Sequence, residues 1–485
     1  MNIRTALVPL LFASVVALGG FAAVPRQAPP GPPAQNSLTL TILHDNDLHG
    51  HILPFAYTET GIRKQEMASV GGAARRATLV RRLRGQIKNP TVLVDSGDTF
   101  TRGPFTNAYE GIADVEAMNA VGYDLAALGN NEFKAKDGIE VNDAPGAQSA
   151  LLQVVKRARF PWVCANATDD KGAFLEGVQP YVVRTLGGVR VGFLGLTAPR
   201  SAKYPQTKGW TISDPVAAAQ KWIPEARKHC DILVAVTHIG VDLDKQLAAQ
   251  TTGLDAIVGG DSHTFLYKLE EAKNPLGVTV PIVQDGEFGV RLGRFDLQFT
   301  RDDRNVWRLV RYADVLLPVD SKISEARDVK DAVEPYVRPL QTVVGHIGKI
   351  GDTPDARARQ TTQFLVDALR QQTNSDLALN PAGDGLFDVF RHSDVTRYDV
   401  YAAMPFHDNI ITAALTGTEI AALLKAKPDT IASGDISRLD AGKTYKVAFV
   451  DFEARDVYKI PEAQITDTGR DERDVVIAHL GTISR

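Results

Sequence analysis

The chain has 485 residues, 44% hydrophobic and 23% charged, an ordinary globular balance with length for two or three domains. A net charge of −4 excludes bulk electrostatic attraction to nucleic acid or to an anionic membrane surface. The two cysteines, Cys164 and Cys230, lack a CxxC partner or metal-type spacing, so pairing in an oxidising compartment and burial as free thiols both fit. In chain order, Arg4 gives a basic start and Ala6 to Phe21 is apolar and uncharged. Phe21-Ala22-Ala23 then offers small residues for cleavage. This is the pattern of a secretory signal peptide over residues 1–23, with a retained membrane anchor as the alternative. The proline-rich stretch from Pro25 to Pro33 predicts an extended linker over 24–36.

Five short apolar runs follow, each ending in a polar cluster. Leu38 to Leu43 leads to Asp47 and His49, and Thr91 to Val94 leads to Asp95 and Asp98. Leu125 to Leu128 leads to Gly129-Asn130-Asn131-Glu132, Ile232 to Val236 to Thr237-His238, and Ala256 to Val258 to Gly259-Gly260-Asp261-Ser262-His263. Runs this short and continuous predict strands buried on both faces. Their C-terminal ends are where open α/β sheets gather ligands, and Asp, His and Asn bind divalent metals. The set supplies enough ligands for two metals sharing one carboxylate.

Helical patterns over Ala73–Arg84 and Pro215–Lys228 alternate with these runs, which predicts an α/β layered domain. Val182 to Phe193 predicts a hairpin on Gly187-Gly188, and Gly289–Phe299 and Trp307–Leu317 predict further strands. A charged connecting helix is expected over 319–340, dividing a first domain over 37–318 from a second, smaller one over 341–485. In the second, Arg357–Gln372 predicts an amphipathic helix and Thr416-Gly417-Thr418-Glu419 a capping box. Tyr445–Val450 predicts a strand and Val475–Leu480 a short terminal helix.

The motifs resemble a known family. His44-Asp45-Asn46-Asp47-Leu48-His49-Gly50, Asp95-Ser96-Gly97-Asp98, Gly129-Asn130-Asn131-Glu132-Phe133-Lys134, Thr237-His238-Ile239-Gly240 and Gly259-Gly260-Asp261-Ser262-His263-Thr264 follow one another as in bacterial 5'-nucleotidases of the UDP-sugar hydrolase type. The resemblance runs from about Leu38 to the C-terminus. It implies an α/β fold: a four-layer α/β/β/α metallophosphoesterase sandwich followed by a smaller α/β domain that binds substrate. It further implies that Asp47, His49 and His263 hold one metal and that Asn130, His238 and Asp261 hold the other, with Asp98 bridging both. Two such ions clamp a phosphoryl group and activate water.

The departures fall in the site. Asn131 stands where the family has its catalytic His, and Lys134 where it has the Asp that orients that His. Asp261 replaces a metal-binding His, which hardens the ligand set; Mn²⁺, Mg²⁺ or Zn²⁺ fit, with Mn²⁺ favoured. In the second domain Phe406 and Phe452 are the candidates for a stacking clamp on a base, and Asp456 is the matching acidic residue. Asn380 begins the segment in which the family carries a phosphate-binding arginine; Asp384 stands near that position, and Arg357 is a candidate for another family arginine. The reading is an exported, monomeric, dinuclear-metal phosphohydrolase, periplasmic or extracellular. Its substrate would be a phosphate ester or anhydride of a nucleotide-related compound, with no nucleic-acid partner and no stable membrane insertion. The alternative is a catalytically silenced homologue that binds metal or ligand.

Overall fold

The computed structural model describes residues 36–58, 66–100, 103–134, 150–204, 207–406 and 408–483. The expected signal peptide and, Asn36 apart, the expected linker lie outside the described residues. No helix among the described residues is long and apolar enough to cross a membrane.

All five apolar runs are strands: β1 (Ser37–Asp45), β2 (Thr91–Asp95), β3 (Leu125–Ala127), β4 (Ile232–His238) and β5 (Ala256–Val258). They belong to two sheets. β1, β2 and β3 run parallel at the centre of a seven-stranded sheet, flanked by Arg291–Arg301 and Trp307–Pro318 on one side and by Trp162–Val163 and Val178–Gln179 on the other. β4 and β5 run parallel in a six-stranded sheet between Val189–Thr197 and Thr279–Val283.

The period of two within each strand explains the layering. Leu40, Ile42, Val92, Val94, Leu125 and Ala127 from the first sheet share one core with Val191, Phe193, Val234, Val236 and Val258 from the second. The alternate residues Leu43, Leu93 and Ala126 face outward, against the helices Ala73–Gln86 and Ile112–Val121. Leu233, Ala235 and Ile257 face the helices Pro215–Arg227 and Val241–Gln250 on the opposite side. The result is the expected four-layer sandwich. Because both sheets are covered on both faces, their strands read as continuous apolar runs.

Tyr181–Leu186 and Val189–Thr197 form the hairpin expected on Gly187-Gly188. The expected helix between the two halves is shorter than read: it spans Arg327–Leu340, and Val329, Val333, Val337 and Leu340 bury one face against the first sheet's helices. Cys164 and Cys230 are buried free thiols, and burial pushes Cys164 up to about 12.

The C-terminal half is a five-stranded sheet in the order Thr430–Ser433, Leu377–Pro381, Thr444–Val450, Asn409–Thr416, Ile465–Asp471. Helices Pro354–Thr373 and Glu472–Ile483 cover one face through Leu365, Leu369, Val475 and Leu480. Helix Gly417–Ala426 covers the other through Ile420, and its capping box is formed in both directions between Thr416 and Glu419.

Asp114, on helix Ile112–Val121, ties that helix to the segment after β2 by accepting from Thr106 Oγ1 at 3.0 Å. Burial pushes its carboxyl up to about 7. A raised carboxyl contributes stability that is complete below its ordinary pKa and is lost as pH rises through the folded value. We expect the wild type to be less stable to urea at pH 8 than at pH 5. The difference should shrink in Asp114→Asn; an unchanged difference would mean that other groups set it.

Candidate metal centre

The polar clusters converge because β1, β2 and β3 are parallel in one sheet, β4 and β5 are parallel in the other, and the loops after them meet. Asp47 N donates to Gly97 O at 2.9 Å and His49 N to Asp98 O at 3.0 Å, which zips the first two loops together. Asp261 N donates to Asp47 Oδ2 at 2.9 Å and joins the loop after β5 to them. Asp47, His49 and His263 offer ligand atoms all within 4.8 Å of one another, and so do Asp47, Asp98 and His238.

Bringing these side chains to one point costs backbone freedom. Among the described residues ten non-glycine residues have positive φ, and five of them are Asp47, His49, Asp98, Asp261 and His263. Asp, Asn and His tolerate the left-handed region better than most, and such strain collects at functional sites. Gly97 and Gly129 are required for close approach: a Cβ on Gly129 would stand 2.3 Å from Asp98 N, and one on Gly97 would stand 2.5 Å from Gly129 N.

Second contacts set the ligand atoms. His238 Nδ1 donates to Ser96 O at 2.8 Å, which turns Nε2 toward Asp98 Oδ2 at 3.2 Å. His263 Nδ1 is bonded to Glu287, which also accepts from Tyr57 Oη at 2.5 Å; His263 Nε2 then lies 3.1 Å from Asp47 Oδ1. An imidazole held this way is the usual form of a metal-binding histidine. Burial pushes Asp47 up, but the charge of His238 and hydrogen bonds from His263 and His49 outweigh it and hold the carboxyl well below the usual range. Burial drives His238 down, but Asp98 and Asp47 overcome it and hold it well above its usual value. Asp47 Oδ1 faces the Nε2 atoms of His263, His49 and His238 at 3.1, 3.6 and 3.8 Å. Carboxylates and imidazoles this close fit a divalent cation at Asp47, His49, His263 and Asp98.

The other expected site residues take varied places. Asn131 directs both its backbone N–H and its Nδ2 onto the two Asp98 oxygens, the former at 2.7 Å. Lys134 Nζ sits 4.6 Å from the centroid of the Tyr204 ring. Asn130 and Asp261 both contact Arg200. Phe406 and Phe452 are exposed, at 42% and 47%, and Phe406 meets the exposed Phe387 edge-on at 6.2 Å. Asn380 is buried and donates to the carbonyls of Pro381 and Asp384, both at 3.0 Å, so it shapes its own loop. Arg357 donates to Gly351 O at 3.2 Å. Asp456 is exposed on the turn after Thr444–Val450.

Three residues escaped the sequence reading: Glu132, Glu287 and Arg200. Glu132 lies inside a quoted motif, yet its work is on the backbone: it accepts from Asp98 N at 3.0 Å, Thr99 N at 2.8 Å and Gly129 N at 2.6 Å. Burial and then the charge of Asp98 push it up to about 8, against those donors. Glu287 and Arg200 lie in the loops that follow Thr279–Val283 and Val189–Thr197, two more strands of the second sheet. Glu287 comes after the polar pair Gln284-Asp285, a strand end of the kind used above, whereas Ala198-Pro199 separates Arg200 from its strand and gives it no such signal.

Residues 40–265 match the calcineurin-like phosphoesterase family, and residues 343–437 match the 5'-nucleotidase C-terminal domain. The chain is 26% identical over 442 residues to the trifunctional nucleotide phosphoesterase protein YfkN of Bacillus subtilis, covering 84% of this chain and 28% of that one. It is 32% identical over 317 residues to the 5'-nucleotidase of Rattus norvegicus, covering 61% of this chain and 52% of that one. The crystal structure of a 5'-nucleotidase precursor from Thermus thermophilus superposes with a TM-score of 0.65 at 27% identity, over 92% of this chain and 97% of that one. The chain spans about half or less of the length of these two sequence relatives.

Glu132→Gln sets an amide N–H₂ against donors that need an acceptor. We expect it to lower the unfolding free energy by about 2–3 kcal/mol, the scale of leaving buried donors unpaired, and to weaken Mn²⁺ binding as the Asp98 loop loosens. Urea denaturation and a Mn²⁺ titration check this. Unchanged values in both would show that Glu132 is not what holds the two loops together.

Proposed function

Because the chain belongs to the calcineurin-like phosphoesterases that carry a 5'-nucleotidase C-terminal domain, we propose that it is an exported, metal-dependent hydrolase of a phosphate ester or anhydride in a nucleotide-related compound. The observation that carries the proposal is the convergence of Asp47, His49, Asp98, His238 and His263 at the strand ends. Export rests on the character of residues 1–23 in the sequence.

When bound, a divalent cation supplies Lewis acidity to phosphoryl oxygens and lowers the pKa of water to near neutrality. The chain's own residues do the rest. Asp47, His49, His263 and Asp98 hold the ion, and Glu287 and Ser96 keep the imidazoles turned. His263, less buried than Asp47, Asp98 and His238, marks the open side of the site. Two ions are the expectation from the sequence; two residues of the second position, Asn130 and Asp261, bond Arg200. Asp261 was the reason to favour Mn²⁺. With Asp261 paired to Arg200 that reason weakens, and two carboxylates with two imidazoles suit Zn²⁺ as well as Mn²⁺.

The position of Asn131 sets the substrate preference. An amide that donates to Asp98 orients that carboxylate but has no proton to give a leaving oxygen. General acid help is typically worth 10²–10⁴-fold, so a nucleoside 5'-alkoxide is disfavoured most and an aryl phosphate or phosphoanhydride least. Phe406 and Phe452 offer ring faces for a planar base. Asp451 and Glu453 flank Phe452, with Asp384 and Asp408 nearby. Burial and then these neighbouring charges push Glu453 up to about 7. That half of the substrate site favours an uncharged base or sugar over further phosphates. The second reading, a silenced metal binder, is favoured by Asn131 and Lys134 in place of the family's His and Asp, and by Asp384 near the position of its arginine.

The test is product release by protein stripped of metal and reloaded with Mn²⁺, on p-nitrophenyl phosphate, ADP and AMP side by side. We expect metal-dependent turnover, with the first two well above AMP. Tight metal binding with no turnover on any of them would instead support the silenced binder. Separately, Asn131→His combined with Lys134→Asp should raise AMP turnover by about 10²–10⁴-fold, the range for general acid catalysis. No gain would mean that the C-terminal half does not position a nucleoside monophosphate.

A further inference from the structure

The turn Pro199–Lys203 after the strand Val189–Thr197 brings a cation into the centre. Arg200 grips Asp261 with two nitrogens: Nη1 donates to Oδ2 at 2.7 Å and Nη2 donates to Oδ1. Nη2 also donates to Asn130 Oδ1 at 2.5 Å. The other end of that amide is fixed from the same segment, since Asn130 Nδ2 donates to Tyr204 Oη at 3.1 Å. His238 Nε2 lies 3.4 Å from Asp261 Oδ1 and 3.2 Å from Asp98 Oδ2.

The residues expected to hold a second ion are Asn130, His238, Asp261 and Asp98. The oxygens of two of them, Asn130 and Asp261, are turned onto a guanidinium. A guanidinium is always charged, has donors and no acceptor, and matches a carboxylate in a two-pronged pair. A dication bound to the same oxygens would stand directly beside that charge and be repelled by it, on the side where Asp261 is shielded from water. The second position therefore does not fit a metal while Arg200 is in place. At the first position Glu287 is bonded to the far ring nitrogen of His263, which leaves Nε2 turned toward Asp47.

We propose that the Arg200 guanidinium takes the place of the second divalent cation, so that the centre holds one metal ion on one side of Asp98 and a fixed organic cation on the other. The proposal rests on the metallophosphoesterase reading. It accounts for Asp261, because an imidazole there could not accept a two-pronged guanidinium and a carboxylate can. It also supplies a positive charge in the N-terminal half, where the C-terminal half has Asp384 in place of an arginine. The Arg200 side chain is 48% exposed, so part of the guanidinium stays open to a phosphoryl oxygen.

The experiment is a metal count on the full chain, using Mn²⁺ as the probe. Protein is loaded, freed of excess ion, analysed by plasma mass spectrometry and examined by electron paramagnetic resonance. We expect one Mn²⁺ per chain with an isolated-ion spectrum for the wild type. Arg200→Ala and, independently, Asp261→His should each hold two, with the spectrum of an exchange-coupled pair. Two ions in the wild type would overturn the proposal and leave the phosphoesterase reading standing. One ion in all three proteins would also overturn it, since Arg200 would then exclude nothing. No bound ion in any of them would overturn both.

Discussion

Two carboxylates buried side by side, Asp47 and Asp98, are what the rest of the centre is arranged around. Buried negative charge is costly unless it is paired and hydrogen-bonded. Here three imidazoles, His49, His238 and His263, approach the pair within 3.1–3.8 Å. Asn131 and the backbone of Asp261 donate to the carboxylates as well. Converging this many side chains from separate loops needs left-handed backbone at five non-glycine positions. Strain of that kind costs of order 1–3 kcal/mol at each residue, and it persists because a two-sheet core anchors every loop at its base.

The departures from the family pattern form one connected set once their contacts are traced. Asn131 turns onto Asp98. Lys134 lies over Tyr204, Tyr204 bonds Asn130, and Asn130 bonds Arg200. Arg200 in turn grips Asp261. Substitutions that look like scattered losses along the chain are thus neighbours around one side of Asp98. A side chain changed there is felt by the next through a direct contact.

The C-terminal half meets the site through the segment that follows the Asp98 loop. Asn107 Nδ2 donates to Pro405 O at 2.7 Å, and Phe105 packs against Tyr398 at 5.8 Å. Phe406 therefore follows directly on a residue hydrogen-bonded to the N-terminal half. Its exposed ring and the carboxylates around Phe452 give this half an aromatic and acidic character, in contrast to the clustered carboxylates and imidazoles at the strand ends of the N-terminal half.

Much of this was legible in the amino-acid order, and for a physical reason. Strands buried on both faces must be continuously apolar, so β1 to β5 stand out. Polar residues that end such strands must sit at the sheet's edge, so Asp47, His49, Asp98, His238 and His263 could be named as a group. Helix starts with local chemistry, such as the capping box at Thr416, are equally local and equally readable. What the order of residues could not decide is which side chain each polar group would meet. Asn131 reads as a poor catalyst in the sequence and becomes a holder of Asp98 only when two loops from neighbouring strands lie together. Glu132 reads as an acid and is a backbone clamp. Arg200 reads as an ordinary surface arginine, 61 residues away from Asp261. Only the packing of strand ends within and between the two sheets brings that guanidinium to that carboxylate, because ion pairs depend on distance in space and leave no period or spacing in the chain.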